Sequence, residues 1–397
     1  MIPRDEALAI VDEKLGAMRM PHEQVKTQSG LMRRIAKDQH SRLDIPPFNR
    51  SAMDGFAIPA GDACERYRVL ETVAAGITPT KTLLPGTATK VMTGAAVPEG
   101  AARVVMVELA EENGAEVTFE RIPETTNICP TGEDMARGDL VLEAGTLLGP
   151  LEIASLVSVG ITEIPVMRTP RVAILSTGDE LVDSPDLLVP GKIMNSNGPL
   201  LRSLCQRSGL EVVRCDRVAD SLEATVDALT ACLAEADILI LSGGVSVGEF
   251  DFVPQALERV GQTIHFDRLA MQPGKPTTFA SSQEKTVFGL PGNPVAVYLM
   301  FHLFVLRAVA LLAGSRHEVC YRTGPLGFDY SRKIAGRLAY VPCQLDRDGA
   351  IQRVNYHGSA HLLALHQADG FFLVPQGASK LSQGERVEFL SMRGGFE

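Results

Sequence analysis

Between residues 170 and 314, short apolar runs alternate with helical patterns, and this alternation constrains the fold more than any other feature of the chain. The runs at 171–175 (RVAIL), 211–218, 238–241 (ILIL), 264–269 and 286–288 read as strands, and the segments 199–207, 222–234 and 252–260 between them read as helices. Such a rhythm builds βαβ units, whose mostly parallel sheet must be covered by helices. In an open sheet of this kind, ligands bind outside the carboxyl ends of the strands. The sequence places glycine-rich polar loops there: STGDEL (176–181), SGGVSVGEFD (242–251), MQPGKP (271–276) and GLPGNP (289–294). Four such loops on one sheet edge read as a single constellation.

Glycine lets backbone N–H groups approach an oxyanion closely, and a helix start behind the loop adds partial positive charge. SGGVSVG, followed by a helix near Phe252, therefore reads as a phosphate or pterin cradle, or else as a tight turn with no ligand. It is neither a Walker loop nor a dinucleotide fingerprint, because its glycines are Gly243, Gly244 and Gly248. Lys275 stands between Pro-Gly and Pro, in a stiff loop that can aim one cation at an anion. Glu180, Asp220 and Asp251 lie at strand ends, where clustered carboxylates suit Mg²⁺ with a phosphorylated ligand. Asp220 is equally suited to cap the helix at 222–234, for which Ser221 is the other candidate cap.

Outside this region the character changes. Leu8, Val11 and Leu15 mark an amphipathic helix over 5–15, with Asp5 as its candidate N-cap. Residues 45–135 are rich in short β runs (104–107, 117–119) and turns, and within them SAMDGFA (51–57) and VMTGAAVPEG (91–100) read as hairpin turns. Residues 138–167 are expected to pack with the N-terminal helix. After Gly314 the pattern is β again, at 338–341, 351–354, 371–374 and 387–390.

A chain of 397 residues is expected to hold two to four domains. Its net charge of −10 argues against a nucleic-acid partner or an anionic membrane surface, yet leaves room for an anionic small ligand where a few cations converge. The seven cysteines (Cys64, Cys129, Cys205, Cys215, Cys232, Cys320 and Cys343) form no CxxC pair and read as reduced thiols of a cytoplasmic protein. Acidic residues interrupt the N-terminal apolar positions, so this segment does not read as a signal peptide. Residues 296–314 are long and apolar enough to span a membrane, but His302 and Arg307 are costly in lipid, and the stretch reads as a buried core helix.

From about residue 5 to the end, the motifs PPFNRSAMDGFA, VMTGAAVPEGA, GEDM, STGDEL, SGGVSVGEFD, PGKP, GLPGNPVA and GSAH occur in order. In this combination the chain resembles the MoeA family, the molybdopterin molybdenumtransferases, which also form the C-terminal part of gephyrin. The resemblance implies a multidomain α/β plus β fold. Its parts are an elongated N-terminal domain (1–44 plus 138–168), a small β-rich domain inserted in it (45–137), a MogA-like α/β molybdopterin-binding domain (169–313) and a barrel-like C-terminal β domain (314–397). It further implies a homodimer, with the cleft between the α/β domain of one subunit and the small β domain of the other. The implied reaction takes adenylylated molybdopterin and molybdate, with Mg²⁺, and releases AMP. A MogA-type adenylyltransferase and recipient molybdoenzymes are the implied partners.

Carried over by motif, Asp54, Thr93, Glu180 and Asp251 are the catalytic candidates. Glu180, Asp220, Asp251 and, more weakly, Asp134 are the metal candidates. Substrate contacts fall on Ser176, Thr177, Gly178 and Asp179, and on Ser242, Gly243, Gly244, Ser246 and Gly248. Lys275, Pro291, Asn293, Arg337 and Ser359 complete the set. The chain departs from many relatives at Gln272, where they carry lysine; Arg268 is the candidate replacement for that charge. Asn49 and Arg50 differ from the Asp-Asn of some relatives. Two alternatives compete with this reading. A MogA-type molybdopterin adenylyltransferase would lack the long N-terminal region and carry Thr-Gly-Gly-Thr-Gly in its loop. A non-catalytic pterin-binding scaffold would not be expected to retain the full set of acids.

Overall fold

The computed structural model describes residues 1–61, 64–244, 252–315 and 319–392. Two compact units are present: Met1–Glu23, Met32–Ala36 and Val166–Glu397 make the larger, and Gln24–Leu31 with Lys37–Pro165 the smaller. The larger unit begins with α1 (Arg4–Leu15), which buries Ala7, Val11 and Leu15 as the helical spacing predicts. Its cap is Pro3 rather than Asp5. Proline presets φ and lacks the N–H that a helix start would leave unpaired, while Asp5 accepts a bond from Arg4 Nε at 2.7 Å.

The smaller unit is built on a six-stranded sheet. Its strands are β1 (Gly55–Pro59), β2 (Tyr67–Val73), β3 (Thr87–Val91), β4 (Ala101–Met106), β5 (Ala110–Asn113) and β6 (Glu116–Phe119), in the order β4-β1-β3-β2-β6-β5. Strand β1 is buried along its whole length. Phe56 and Ile58 join a cluster with Tyr67 and Val105, whereas Ala57 joins one with Val73, Val91 and Val104. The period-2 alternation of side chains thus feeds two cores from one strand. The unit also holds helix α2 (Pro150–Ser158), whose Glu152 accepts from the Gly149 N–H at 3.0 Å.

In the larger unit, β7 (Arg171–Thr177), β8 (Glu211–Val218), β9 (Ile238–Ser242), β10 (Thr263–Arg268), β12 (Pro276–Ser281) and β13 (Thr286–Leu290) form the sheet β8-β7-β9-β13-β12-β10, and β11 is the short strand Met271–Gln272. The four strands β8, β7, β9 and β13 run parallel, and β12 and β10 add antiparallel pairs at one edge. Helix α3 (Asn197–Arg207) and the core around Val172, Ile174, Ile238 and Ile240 cover one face. On the other, α4 (Leu222–Glu235) and α5 (Val253–Arg259) pack over Ala173, Leu175, Leu239 and Leu241. Strands buried on both faces must be apolar at every position, which is why they read as unbroken runs.

The long apolar stretch is helix α6 (Pro294–Leu312), a core element of this unit. Val295, Val297, Leu299, Met300, Phe301 and Phe304 are fully buried within it. Its middle, Phe301–Val305, is a π segment. His302 Nδ1 pairs with Tyr298 O at 2.8 Å, and Arg307 donates to both carboxylate oxygens of Asp12 on α1. Helix α1 therefore packs on α6 in the larger unit, correcting the expectation that it packs with residues 138–167. Its apolar stripe joins the same core as Phe304 and Leu312.

The C-terminal segment forms β14 (Tyr321–Pro325), β15 (Leu338–Leu345), β16 (Ile351–Arg353), β17 (Gly370–Val374) and β18 (Arg386–Ser391). Their order is β11-β15-β17-β18-β14, with β16 paired to β15. A bridge between Leu326 and Ile351 joins the far end back to β16, so the strands close into a small barrel-like ring around Leu326, Cys343, Phe372 and Phe389. Strand β11 belongs to the MQPGKP loop, which thereby leaves the α/β sheet and pairs with β15.

Candidate functional site

That pairing shapes a cavity of about 540 Å³ inside the larger unit, between the MQPGKP loop, the start of α6 and the barrel-like sheet. Lys275, Pro291, Asn293 and Ser359, drawn from three separate motifs, and Arg337, which lies in none, all line it, as does Gln272. Each is placed by local structure. Gly274 has φ +107, and a Cβ there would meet Met300 Cε at 2.8 Å, so only glycine lets the chain turn before Lys275. Thr277 Oγ1 donates to Gly274 O at 2.8 Å and closes the turn from the other side. Asn293 caps α6 by position and sends its Nδ2 to Ser359 Oγ at 2.8 Å, while Val295 N donates to Ser359 O at 3.2 Å. Arg337 NH1 reaches Met271 O at 3.4 Å, and Arg332 holds the loop behind it through Arg337 O at 2.8 Å, Ala378 O at 2.7 Å and Pro375 O at 2.6 Å.

Sequence reasoning missed three of the lining side chains: Arg353, Tyr330 and Tyr356. They belong to a strand end (Arg353), a two-residue strand (Tyr330) and an irregular segment (Tyr356) that carry no motif, and only the barrel-like ring brings them here. Burial pushes the Tyr356 hydroxyl up to about 12 and raises that of Tyr330, so both remain protonated donors. Arg268, the candidate substitute for a lysine at 272, is absent from the described lining; its Nε lies 3.7 Å from Asp267.

The carboxyl edge of the parallel sheet carries the second group of residues. Ser176 and Thr177 end β7 and Ser242 ends β9, with the Ser242 hydroxyl 3.4 Å from that of Ser176. Gly243 and Gly244 both have positive φ, and a Cβ on either would strike Thr177, at 2.6 Å from its O and 2.7 Å from its Oγ1 respectively. Close packing against β7 therefore requires both glycines whether or not a ligand is bound. Gly178 has φ +143, with the Glu180 carboxylate folded over it.

Asp220 does not cap its helix. Ser221 does, accepting from Ala224 N at 3.3 Å. Asp220 Oδ2 instead accepts from Asp179 N at 3.1 Å while Asp179 Oδ1 accepts from Asp220 N at 3.2 Å, so two loops of the edge are tied through their acids. Asn197, another residue the sequence reading missed, sends Nδ2 to Gly292 O at 2.7 Å and has its buried Oδ1 unbonded. The polar NSNG cluster before α3 was its available signal. Ser246, Gly248 and Asp251 lie outside the described residues. Among the described residues, no three His, Cys, Asp or Glu side chains gather as a metal cluster, so Glu180, Asp220 and Asp134 do not form one there.

In the smaller unit the two remaining motifs meet. Asp54 Oδ1 accepts from Thr93 N at 2.6 Å and from Thr93 Oγ1 at 2.7 Å, and these bonds hold its carboxyl below the usual range. Neither motif is a simple hairpin turn: Gly55 already belongs to β1, where a Cβ would lie 2.1 Å from Val105 O. The segment at 93–94 is locked to the other motif through Gly94 N donating to Ser51 O at 2.8 Å. Asp134 is exposed on a separate turn, tied by its backbone N to Ile45 O at 2.9 Å. Asn49 Oδ1 accepts from Thr131 N at 2.9 Å, giving that position a structural role.

Known proteins match over the whole length. Residues 2–160 match the MoeA N-terminal region (domain I and II), 173–310 a probable molybdopterin binding domain, and 323–392 the MoeA C-terminal region (domain IV). The molybdopterin molybdenumtransferase of Bacillus subtilis (strain 168) is 34% identical over 420 residues, covering 99% of this chain and 94% of that protein. That of Staphylococcus aureus (strain Mu50 / ATCC 700699) is 32% identical over 401 residues, covering 98% and 95%. A crystal structure of the molybdopterin biosynthesis moea protein from Pyrococcus horikosii superposes with a TM-score of 0.84 at 29% identity, over 99% of this chain and 100% of that one. With three regional matches in order and relatives aligned from end to end, the chain belongs to the MoeA family.

Proposed function

We propose that this enzyme inserts molybdenum into molybdopterin in molybdenum cofactor biosynthesis, taking the pterin in adenylylated form and the metal as molybdate. The observation that carries the reading is the convergence of Lys275, Arg337 and Ser359, from three separate segments of the sequence, on one cavity. Two cations and a hydroxyl there suit a tetrahedral dianion. When two pterin thiols replace one oxo group, that oxygen leaves as water with both thiol protons, and molybdenum keeps its oxidation state. The residues need only hold the anion and the thiols in register, so positioning and electrostatics suffice and no protein nucleophile is needed.

The sheet edge supports the pterin phosphates. Ser176, Thr177, Ser242 and the backbone of Gly244 offer donors there, whereas the Gly243 N–H is already given to Leu290 O at 3.1 Å. Release of AMP by hydrolysis of the phosphate anhydride is assigned to the acidic loops. The carboxylates of Asp220 and Glu180 are hard donors of the kind Mg²⁺ takes one or two of, beside phosphate oxygens, and Asp251 is the further candidate. Bound there, Mg²⁺ would neutralise charge on the phosphates; Asp179 would keep Asp220 in place.

The same reading takes the enzyme to be a cytoplasmic homodimer, supplied by a MogA-type adenylyltransferase and passing its product to molybdoenzymes. Asp54 and Thr93 would serve the cleft of the partner copy. Exposed Leu187, Leu188 and Val189, with Ile193 and Met194 a few residues on, support self-association, because large apolar side chains grouped at a surface favour an interface. The four-part domain division belongs to this reading as well, with α1 carried by the larger unit.

The test is single-turnover release of AMP from adenylylated molybdopterin with Mg²⁺, with and without molybdate. Molybdate-dependent release that is lost in Lys275→Gln, with product able to activate an apo-molybdoenzyme, is the expected result. Tight binding without release would favour a pterin-binding scaffold, and formation of the adenylylated pterin from ATP would favour an adenylyltransferase.

A further inference from the structure

The described lining of the cavity holds three cations, Lys275, Arg337 and Arg353, and no aspartate or glutamate. In a chain of net charge −10 this is a local reversal of sign. Arg353, at the end of β16, is exposed and held from two sides. Its NH2 donates to Asp329 O at 3.0 Å, and its guanidinium carbon sits 4.8 Å over the Phe328 ring. Both anchors are neutral, so neither cancels its charge, and a planar guanidinium stacked on an aromatic face is pre-organised. In the same lining Gln272, paired in register with Ala339, carries a neutral amide.

We propose that Arg353 is a further binding cation of the oxyanion site, supplying a charge that the MQPGKP loop does not supply at Gln272. The proposal rests on the reading of the cavity as the oxyanion pocket. Because Arg353 is exposed, its contribution is long-range and screened: it is largest at low salt and reaches the anion without displacing Lys275 or Arg337. The carbonyl of Asp329 and the ring of Phe328 position the guanidinium, and the charge acts on the ligand.

The test is equilibrium titration of the full-length protein with molybdate, and with sulfate as a second tetrahedral dianion, at two ionic strengths. Arg353→Gln is expected to weaken molybdate binding about tenfold at low salt, with a smaller loss at high salt. Arg353→Lys, which keeps the charge and loses the stack, should retain most of the affinity, and Gln272→Lys added to Arg353→Gln should restore it. A structural pin would behave differently: Arg353→Gln would lower the unfolding midpoint and leave affinity and salt dependence unchanged, which would overturn the proposal. Arg337→Gln separates this from failure of the pocket reading. If Arg337→Gln abolishes binding while Arg353→Gln does not alter it, only the role of Arg353 falls. If neither variant alters binding, the cavity is not the oxyanion site, and both readings fall.

Discussion

Two pockets of the larger unit are rich in arginine, and they differ in what stands beside the guanidinium groups. One, of about 630 Å³, is lined by Arg33, Arg168 and Arg171 together with Glu23 and Glu211, near the amino ends of β7 and β8. Arg168 there forks onto both oxygens of Asp237 at 2.8 and 3.0 Å, and Arg33 pairs with Glu23 at 2.5 Å. The other is the cavity of Lys275, Arg337 and Arg353, whose described lining contains no acid. Arg168 and Arg171 are spent on Asp237 and so tie β7 to β9, whereas the second set meets no acid within its described lining. Counting arginines would not separate the two pockets, but asking which cations have acidic partners does.

The difference can be broken in order of expected effect. Arg337→Gln should slow molybdate-dependent AMP release about a hundredfold, as losing a donor to a developing oxyanion does, with the unfolding midpoint unmoved. An equal loss of stability would mean that this cavity too is structural. Asp237→Asn should do the reverse. Its side chain is only 8% exposed and serves Arg168 and the Arg171 N–H, so denaturant titration should show a loss of about 2 kcal/mol, moderated because Arg168 is partly exposed. Molybdate affinity should not change.

Acid tests the same pair. Burial opposes the charged form of Asp237, but its bonds from Arg168 and from Arg171 N, with the charge of both arginines, hold its carboxyl below the ordinary value. A group depressed in the folded state contributes stability above its unfolded value, here about 3.9, and loses it as pH falls through the folded one. Unfolding free energy should therefore decline more steeply below about pH 4 in the wild type than in Asp237→Asn. The smallest effect belongs to Arg171→Gln. Its Nε is 3.8 Å from Asp237 and its side chain is 42% exposed, so thermal unfolding should reveal a loss below about 1 kcal/mol.

How far the sequence revealed this depended on how local the signal was. Strand β9 and helix α4 were legible almost to the residue, because a parallel strand buried on both faces reads as an unbroken apolar run and Ser221 announces its helix. Strand β12 was missed: PTTFAS looks polar, yet Thr277 and Thr278 are fully buried at the antiparallel edge. The N-cap at Asp5 failed because Pro3 had already taken the position. Lys275 was legible as a site residue because it stands between Pro-Gly and Pro in a stiff loop, whereas Asn293, Arg337 and Ser359 entered through the family resemblance. Arg353 was not, since a cation on a short strand carries no local mark and acquires meaning only when Leu326 and Ile351 close the ring. Nor could spacing alone foresee that Asp220 would face Asp179 rather than its own helix.

The most direct measurement is diffraction at the molybdenum absorption edge from crystals of the protein equilibrated with molybdate at low ionic strength. The account predicts a single anomalous peak in the cavity, within bonding reach of Lys275, Arg337 and Ser359 and absent in Arg337→Gln. A peak at the Arg168–Arg171 pocket instead, or density in the cavity that survives Arg337→Gln, would contradict it.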